Sequence, residues 1–513
     1  MRLNRKDFLK LVGQGTAASM AAASVGGAMP AAAQAPAAAR QKKEVRGNAI
    51  KGTTDAVRRF IATSSLREMP PNVVTEGKRC LIDNVGVLLA GSTAEGSHIL
   101  RQYAQKSSGA KEATVLGREP IVVSAAHAAL ANAGSAHALD YDDTQLSTTP
   151  DRTFGLLTHP TTPALSAALA VAERNGASGA AFLEAYLTGV EVECKMAEAI
   201  DPNHYERGFH STGTFGAFGA AAAAGKLMKL NEAQLAHMLA IAASLSAGIR
   251  VNFGSMSKPL NAARASENGV FAAEIAAHGF TGGDNGLDGQ WGFFQVLGDG
   301  ADLDRLIGKL GKPWSIISPG VSFKPYPCGS LSHPSMDAMM KVVKDHDLKP
   351  DQIKAVRLRA GNNILDPLRY GIAKNELEAK FSVPFLMSAV ILTRRAGMRE
   401  FTDEFVQSPA AQQMMQRVTG VRDMDIEKQG FDKIRSIVEV DLVDGRKLVQ
   451  PSDDRYRGGP ENPFSREDLK AKFDDCASLV LAQDRLTPVF NAIESVDSMT
   501  DIRQLVRMLS ART

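Results

Sequence analysis

The sequence is poor in cysteine, in aromatic residues and in net charge, and each shortage removes a class of function. Its four cysteines, Cys80, Cys194, Cys328 and Cys476, stand far apart and form no CxxC pair. Iron–sulfur clusters and structural zinc sites draw on closer ligand pairs. The four therefore read as isolated thiols, and their spacing shows no disulfide. Formal net charge is only +3, from 59 basic and 56 acidic residues. Nucleic-acid binding needs a concentrated basic face, and no basic run interleaved with aromatics is present. Neither GxSxG nor HExxH occurs, so two familiar hydrolase signatures are missing. The glycine-rich stretch 280–294 (FTGGDNGLDGQWGFF) lacks GxGxxG and a preceding strand, so it is no nucleotide cradle. Aromatics make up 6% of the chain while alanine and glycine abound. Small residues let helices approach closely, which predicts tight helix packing.

The 513 residues are too many for one ordinary core and point to two or three domains. The first 33 read as an export signal. Arg2, Arg5 and Lys6 precede a mildly apolar region from Leu11 to Met29, and Ala31-Ala32-Ala33 offers small residues for cleavage. The apolar region is too weak and glycine-rich for a stable membrane span. Asn4-Arg5-Lys6-Asp7-Phe8-Leu9-Lys10 resembles a twin-arginine signal, with Lys6 in place of the second arginine. Residues 34–49 follow as an Ala/Pro linker. The expected location is periplasmic or otherwise exported.

From Thr54 to about Ala277 the chain reads as helical. Segments 163–174, 180–200 and 215–229 carry apolar residues at three- and four-residue spacing. The pattern changes after Ser318. Segment 353–360 (IKAVRLRA) alternates like a strand, and 434–449 reads as two strands around Asp444-Gly445. Helices are expected over 333–345 and 383–396, and again over 463–512. The fold class is thus mainly α with an inserted α+β domain. Both chain ends (50–318 and 451–513) would build a large all-helical domain, and 319–450 the inserted one.

Four polar stretches could carry chemistry. In His137-Ala-Leu-Asp140-Tyr-Asp142-Asp143-Thr144, followed by Thr158-His159-Pro160, three carboxylates fall within four residues and repel one another. A hard cation, acid–base chemistry, a charge network or a plain acidic helix end would each account for them. In Glu206-Arg-Gly-Phe-His210-Ser-Thr-Gly213 a histidine stands at a helix entrance, placed either to meet a ligand or to serve the fold. Lys258 and Arg264, in Gly254-Ser-Met-Ser-Lys258-Pro-Leu-Asn-Ala-Ala-Arg264, could clamp carboxylates or simply be surface charge. Lys324, in Phe323-Lys-Pro-Tyr-Pro-Cys328, is stiffened by two prolines where the helical pattern ends, and ligand sites favour such junctions. Together these groups suit proton abstraction beside a carboxylate, with cations holding the substrate.

These stretches resemble the MmgE/PrpD family of 2-methylcitrate dehydratases and cis-aconitate decarboxylases. The resemblance rests on AHALDYDDT with THPTTP, GFHSTGTFG, MSKPLNAARA, GGDNGLDGQWGFF, SFKPYPCG, AKFSVPF (379–385) and RGGPENPF (457–464), in the family's order from about residue 50. It implies a large helical domain with a smaller α+β lid domain, usually a homodimer, and chemistry with no metal and no cofactor. Carried over by motif, Asp140, His159, His210, Lys258 and Lys324 are the expected catalytic residues, with Thr144, Tyr205 and Arg264 binding substrate. Two departures stand out. The stretch between Asp143 and His159 is longer than in the decarboxylases, and Tyr205 replaces an apolar residue. The expected activity is a metal-independent lyase that removes water from a small hydroxy-polycarboxylic acid, as 2-methylcitrate dehydratase does. Decarboxylation or epimerisation of a related acid is the alternative. An exported, non-catalytic carboxylate-binding protein is a second, and a metal-dependent hydrolase a weaker one. No nucleic-acid partner and no stable membrane insertion are expected.

Overall fold

The computed structural model describes residues 52–146, 156–200, 203–298, 301–430 and 433–510. The export signal (1–33), the linker (34–49) and most of the long stretch before His159 lie outside them. Among the described residues no helix is long and apolar enough to cross a membrane.

The protein is mainly helical, as its periodicity predicts. Helices Thr161–Asn175, Gly179–Ile200, Ser211–Leu227 and Ser257–Ala277 run through the first half and are buried on nearly every face. Alanine and glycine make this packing feasible. At Gly189, for example, an added Cβ would lie 2.5 Å from the Gly219 carbonyl oxygen of the crossing helix. Four short strands among the described residues between Ala113 and Thr158 depart from the all-helical expectation. A hairpin pairs β1 (Ala113–Val115) with β2 (Ile121–Val123). A second small sheet has the order β4 (Leu156–Thr158), β3 (Thr144–Leu146), β5 (Val321–Ser322). Strands of two or three residues are too short to show a two-residue alternation, which is why the pattern hid them.

The glycine-rich loop also has a structural task. Asp288 accepts hydrogen bonds from the backbone N–H groups of Thr53 and Thr54, both at 2.8 Å, and so caps helix Thr53–Thr63.

A four-stranded sheet follows, in the order β7 (Val418–Arg422), β6 (Ile353–Ala360), β8 (Ser436–Leu442), β9 (Lys447–Pro451). Strand β6 is parallel to β7 and antiparallel to β8. The β8–β9 turn places Gly445 at φ 89°, the conformation that Asp-Gly turns supply. Alternation sorts the faces. Val356, Leu358, Val438 and Val440 are buried in one core with residues of helices His333–Asp345 and Val383–Thr393, while Arg357, Arg359, Glu439 and Asp441 face away. Helices Arg466–Ala477, Gln483–Glu494 and Arg503–Ser510 end the described chain. They share a core with helix Pro71–Gly91, in which the Phe473 and Phe490 rings meet at 5.7 Å.

Candidate active site

Helix Ala125–Ala138 ends in a tight reversal. Asp140 adopts φ +52°, a left-handed conformation that aspartate tolerates better than most residues. The reversal folds Asp142 back onto the helix it has just left. His137 Nδ1 then lies 2.9 and 3.0 Å from the two Asp142 oxygens.

Three further groups stand at helix starts. His159 precedes helix Thr161–Asn175, His210 is the N-cap of helix Ser211–Leu227, and Lys258 opens helix Ser257–Ala277. Helix N-termini carry partial positive charge and favour anions nearby. Lys324 arrives just after β5.

All these side chains are buried, and they converge on Asp140. Its Oδ1 accepts hydrogen bonds from Lys258 Nζ and Lys324 Nζ, each at 2.7 Å. Lys324 also donates to the Asp140 and Cys328 carbonyls. His159 Nε2 lies 3.9 Å from the same oxygen. Asp140 Oδ2 is buried and has no hydrogen-bond partner among the described residues. Burial alone would raise the Asp140 pKa. The two ammonium groups outweigh it and hold the carboxyl well below its usual range.

The hydrogen bonds set the tautomers. His159 Nδ1 donates to the Asp143 carbonyl at 2.9 Å and lies 3.3 Å from Asp142 Oδ2. Both partners only accept, so Nδ1 carries the proton and Nε2 offers a lone pair. His210 is reversed. The Asn261 amide donates to its Nδ1 at 3.0 Å, which leaves the proton on Nε2. That Nε2 is buried without a partner among the described residues. Burial lowers the pKa of both rings, most strongly for His210. It pushes His137 down to about 4, against the attraction of Asp142. Lys258 is likewise lowered by burial, which Asp140 opposes. Burial, then the nearby Asp83, pushes Asp143 well up, and its Oδ2 accepts a hydrogen bond from Thr161.

Asp140, His159, Lys258 and Lys324 line a cavity of about 30 Å³, together with Tyr205, Phe253, Leu331, Leu368 and Phe381. A larger cavity of about 730 Å³, lined by Ile61, Glu184 and Lys226, lies away from this cluster. Its Lys226 already donates to the Ile61 and Ser64 carbonyls. Chemistry therefore favours the small one.

The structure thus brings together Asp140, His159, His210, Lys258, Lys324 and Tyr205. Thr144 is buried in β3, beside Asp143 in the chain, with its hydroxyl unpartnered among the described residues. Arg264 stands apart from this cluster. Its side chain is 50% exposed and pairs with Glu267. It lies six residues beyond Lys258, about 120° around the helix, so the two point in different directions in this conformation. Sequence reasoning missed His137 and Asp142 as site residues, although both lay in a motif it singled out. It also passed over Phe253 and Phe381, whose rings lie 5.5 and 5.8 Å from Lys258 Nζ.

His137, Asp142 and His159 are the side chains here that could hold a metal ion, since their donor atoms lie within 4.8 Å of one another. Each is already engaged in the hydrogen bonds above, and Lys258 Nζ stands 2.9 Å from His137 Nε2. An ammonium so close raises the cost of a divalent cation.

Two ammonium groups around a carboxylate, an imidazole lone pair and an imidazole N–H thus meet in one buried cluster able to bind an anion and to move a proton. The chain belongs to the MmgE/PrpD family: residues 55–306 match the MmgE/PrpD N-terminal domain and 326–493 its C-terminal domain. It is similar to the cis-aconitate decarboxylases of Homo sapiens (26% identical over 471 residues, 90% of this chain and 95% of that one) and Mus musculus (27% over 474, 90% and 94%). It also resembles that of Aspergillus terreus, at 21% over 490 residues, 91% of this chain and 98% of that one.

Proposed function

We propose that this protein is a lyase acting on a small tricarboxylic acid, and that it decarboxylates a substrate of the cis-aconitate type. The observation that carries this reading is Asp140 Oδ1, which holds both Lys258 and Lys324 at the pocket wall. A substrate carboxylate can take over one of these ammonium groups. The 30 Å³ cavity admits about one water molecule, so the walls separate when the acid enters. Loss of CO₂ breaks a C–C bond and sends its electron pair through the alkene onto a second carboxylate. The ammonium groups stabilise that charge, and one lost donor at such a position costs roughly 10²–10³ in turnover. Lys258, whose pKa burial lowers, donates a proton to carbon and regains one from water.

Dehydration of a hydroxy-tricarboxylate is the second reading, favoured by the lone pair of His159 Nε2. There His159 removes the α-proton, Lys258 protonates the departing hydroxyl, and Asp140, lying between them, returns the proton.

The test is to incubate the full chain with cis-aconitate, 2-methylcitrate and citrate and to follow products by NMR and CO₂ release. Release of CO₂ with an unsaturated dicarboxylate supports the first reading, and water loss the second. Tight binding without turnover would make this a carboxylate-binding protein instead. Activity is expected to survive exhaustive chelation. Export, proposed from residues 1–33, is checked by fractionating cells that express the full chain.

A further inference from the structure

We propose that His137 and Asp142 form a dyad that aims Lys258, acting on the reaction without touching the substrate. The inference rests on the reading of Lys258 as a working group of a tricarboxylate lyase. Neither dyad residue lines the pocket, and both are fully buried.

Asp142 is ionised. Burial opposes this, but His137 and His159 hold its pKa well below the usual range. A carboxylate only accepts, so the imidazole facing it carries its proton on Nδ1. His137 Nε2 therefore presents a lone pair, and Lys258 Nζ donates to it at 2.9 Å. The Asp142 carboxylate is itself pinned. Thr162 Oγ1 donates to it at 2.7 Å, and Asn84 Nδ2 donates to Thr162 Oγ1 at 2.8 Å. The chain Asn84–Thr162–Asp142–His137–Lys258 ties the ammonium back to helix Pro71–Gly91.

Two acceptors hold Lys258, and they differ in kind. Asp140 is charged and shares one oxygen between two lysines, so an incoming carboxylate competes with it directly. His137 is neutral and makes no such competition. It keeps Nζ in place while the bond to Asp140 is exchanged for one to substrate. A lysine on a flexible four-carbon stem gains most from a fixed second acceptor. The same Asp142 oxygen lies 3.3 Å from His159 Nδ1, so one buried carboxylate orients two imidazoles.

The test uses the full chain and four variants. His137→Asn keeps a donor near Asp142 but cannot reach Lys258. His137→Gln carries an amide oxygen that can. Displacing a working group by about 1 Å can cost roughly 10²-fold. The expected result with cis-aconitate is a kcat about 100-fold lower in His137→Asn, with KM changed far less and partial recovery in His137→Gln. Asp142→Asn should lower kcat as well, because it disturbs His159 too. Wild-type kcat in His137→Asn would overturn the proposal. So would equal losses in the Asn and Gln variants with KM rising in step, which marks general disruption. A second arm needs no turnover. Imidazole ¹⁵N spectra of the wild-type chain at neutral pH should show His137 as the neutral Nδ1–H tautomer, with an Nε2 signal that shifts in Lys258→Met. The Nε2–H tautomer, an imidazolium, or an unmoved signal would overturn the dyad. Failure of the wild type to turn over any acid sinks the functional reading alone, and the spectra still judge the dyad.

Discussion

Two regions of this protein are built from the same ion-pair chemistry in opposite settings. At the site, Asp140, Lys258 and Lys324 meet with side chains at most 5% exposed. On the outer face of the sheet, Arg357 reaches Glu439 and Asp441, and Arg359 reaches Glu439 and Asp423, in a ladder whose side chains are half-exposed apart from the more buried Asp423. Removing charges from water is costly, so a buried cluster survives only with its partners complete. The ladder gains little from each contact and loses little without it. One arrangement concentrates electrostatic force for chemistry, and the other keeps a sheet face polar.

The sharpest way to break that comparison is to delete Asp140. Asp140→Ala leaves two buried ammonium groups facing one another. Breaking a buried pair costs about 3–5 kcal/mol. Lys258 can release its proton, which favours the lower end. Urea denaturation at neutral pH should therefore show a loss near ~3 kcal/mol, along with loss of turnover. A variant as stable as wild type would show that the cluster is not held together as its geometry implies.

Burial also separates two groups by the sign of their pH dependence. Glu191 accepts hydrogen bonds from the Gly311 and Ser315 N–H groups, and burial raises its pKa from 4.5 to about 7. The folded state binds the extra proton. The stability this contributes is fully present below pH 4.5 and is lost as pH rises through about 7. The shift corresponds to something on the order of 3 kcal/mol. His137 runs the other way, from 6.5 down to about 4. Its contribution is present above pH 6.5 and is lost as pH falls through about 4. Urea midpoints measured across this range should rise more steeply with pH between 5 and 6.5 in Glu191→Gln than in wild type, because the opposing contribution of His137 is then no longer offset. An unchanged slope would remove Glu191 from the account.

What the sequence made legible follows the range of the forces involved. Alternation in IKAVRLRA and the Asp444-Gly445 pair located β6, β8 and β9, because strand pattern and turn chemistry are local. The motifs located Asp140, His159, His210, Lys258 and Lys324 without their partnerships. The contact between His137 and Asp142 depends on the left-handed backbone at Asp140, which no periodicity announces. Asp288 caps a helix that begins 235 residues earlier, a pairing that composition could not reveal. Arg264 differs again, since six residues of helix set it about 120° around the axis from Lys258.

The ladder supplies the next test. Arg359→Ala should lower stability only slightly, and the loss should vanish in about 1 M salt, where screening acts within ~3 Å. The Asp140 effect should persist there, because buried charges are screened far less. Equal salt sensitivity in the two variants would erase the distinction between the regions.

The smallest effect is expected at Arg264. It opens no hydrogen bond toward the pocket and pairs with Glu267 and Asn268 on its own helix. Surface substitutions of this kind usually change stability by less than about 0.5 kcal/mol. Arg264→Ala should therefore leave kcat and KM for cis-aconitate within about twofold of wild type. A large rise in KM would place this guanidinium on the substrate in a conformation opened wider than the one described, and would move the boundary between working and solvated charge to include helix Ser257–Ala277 beyond its first turn.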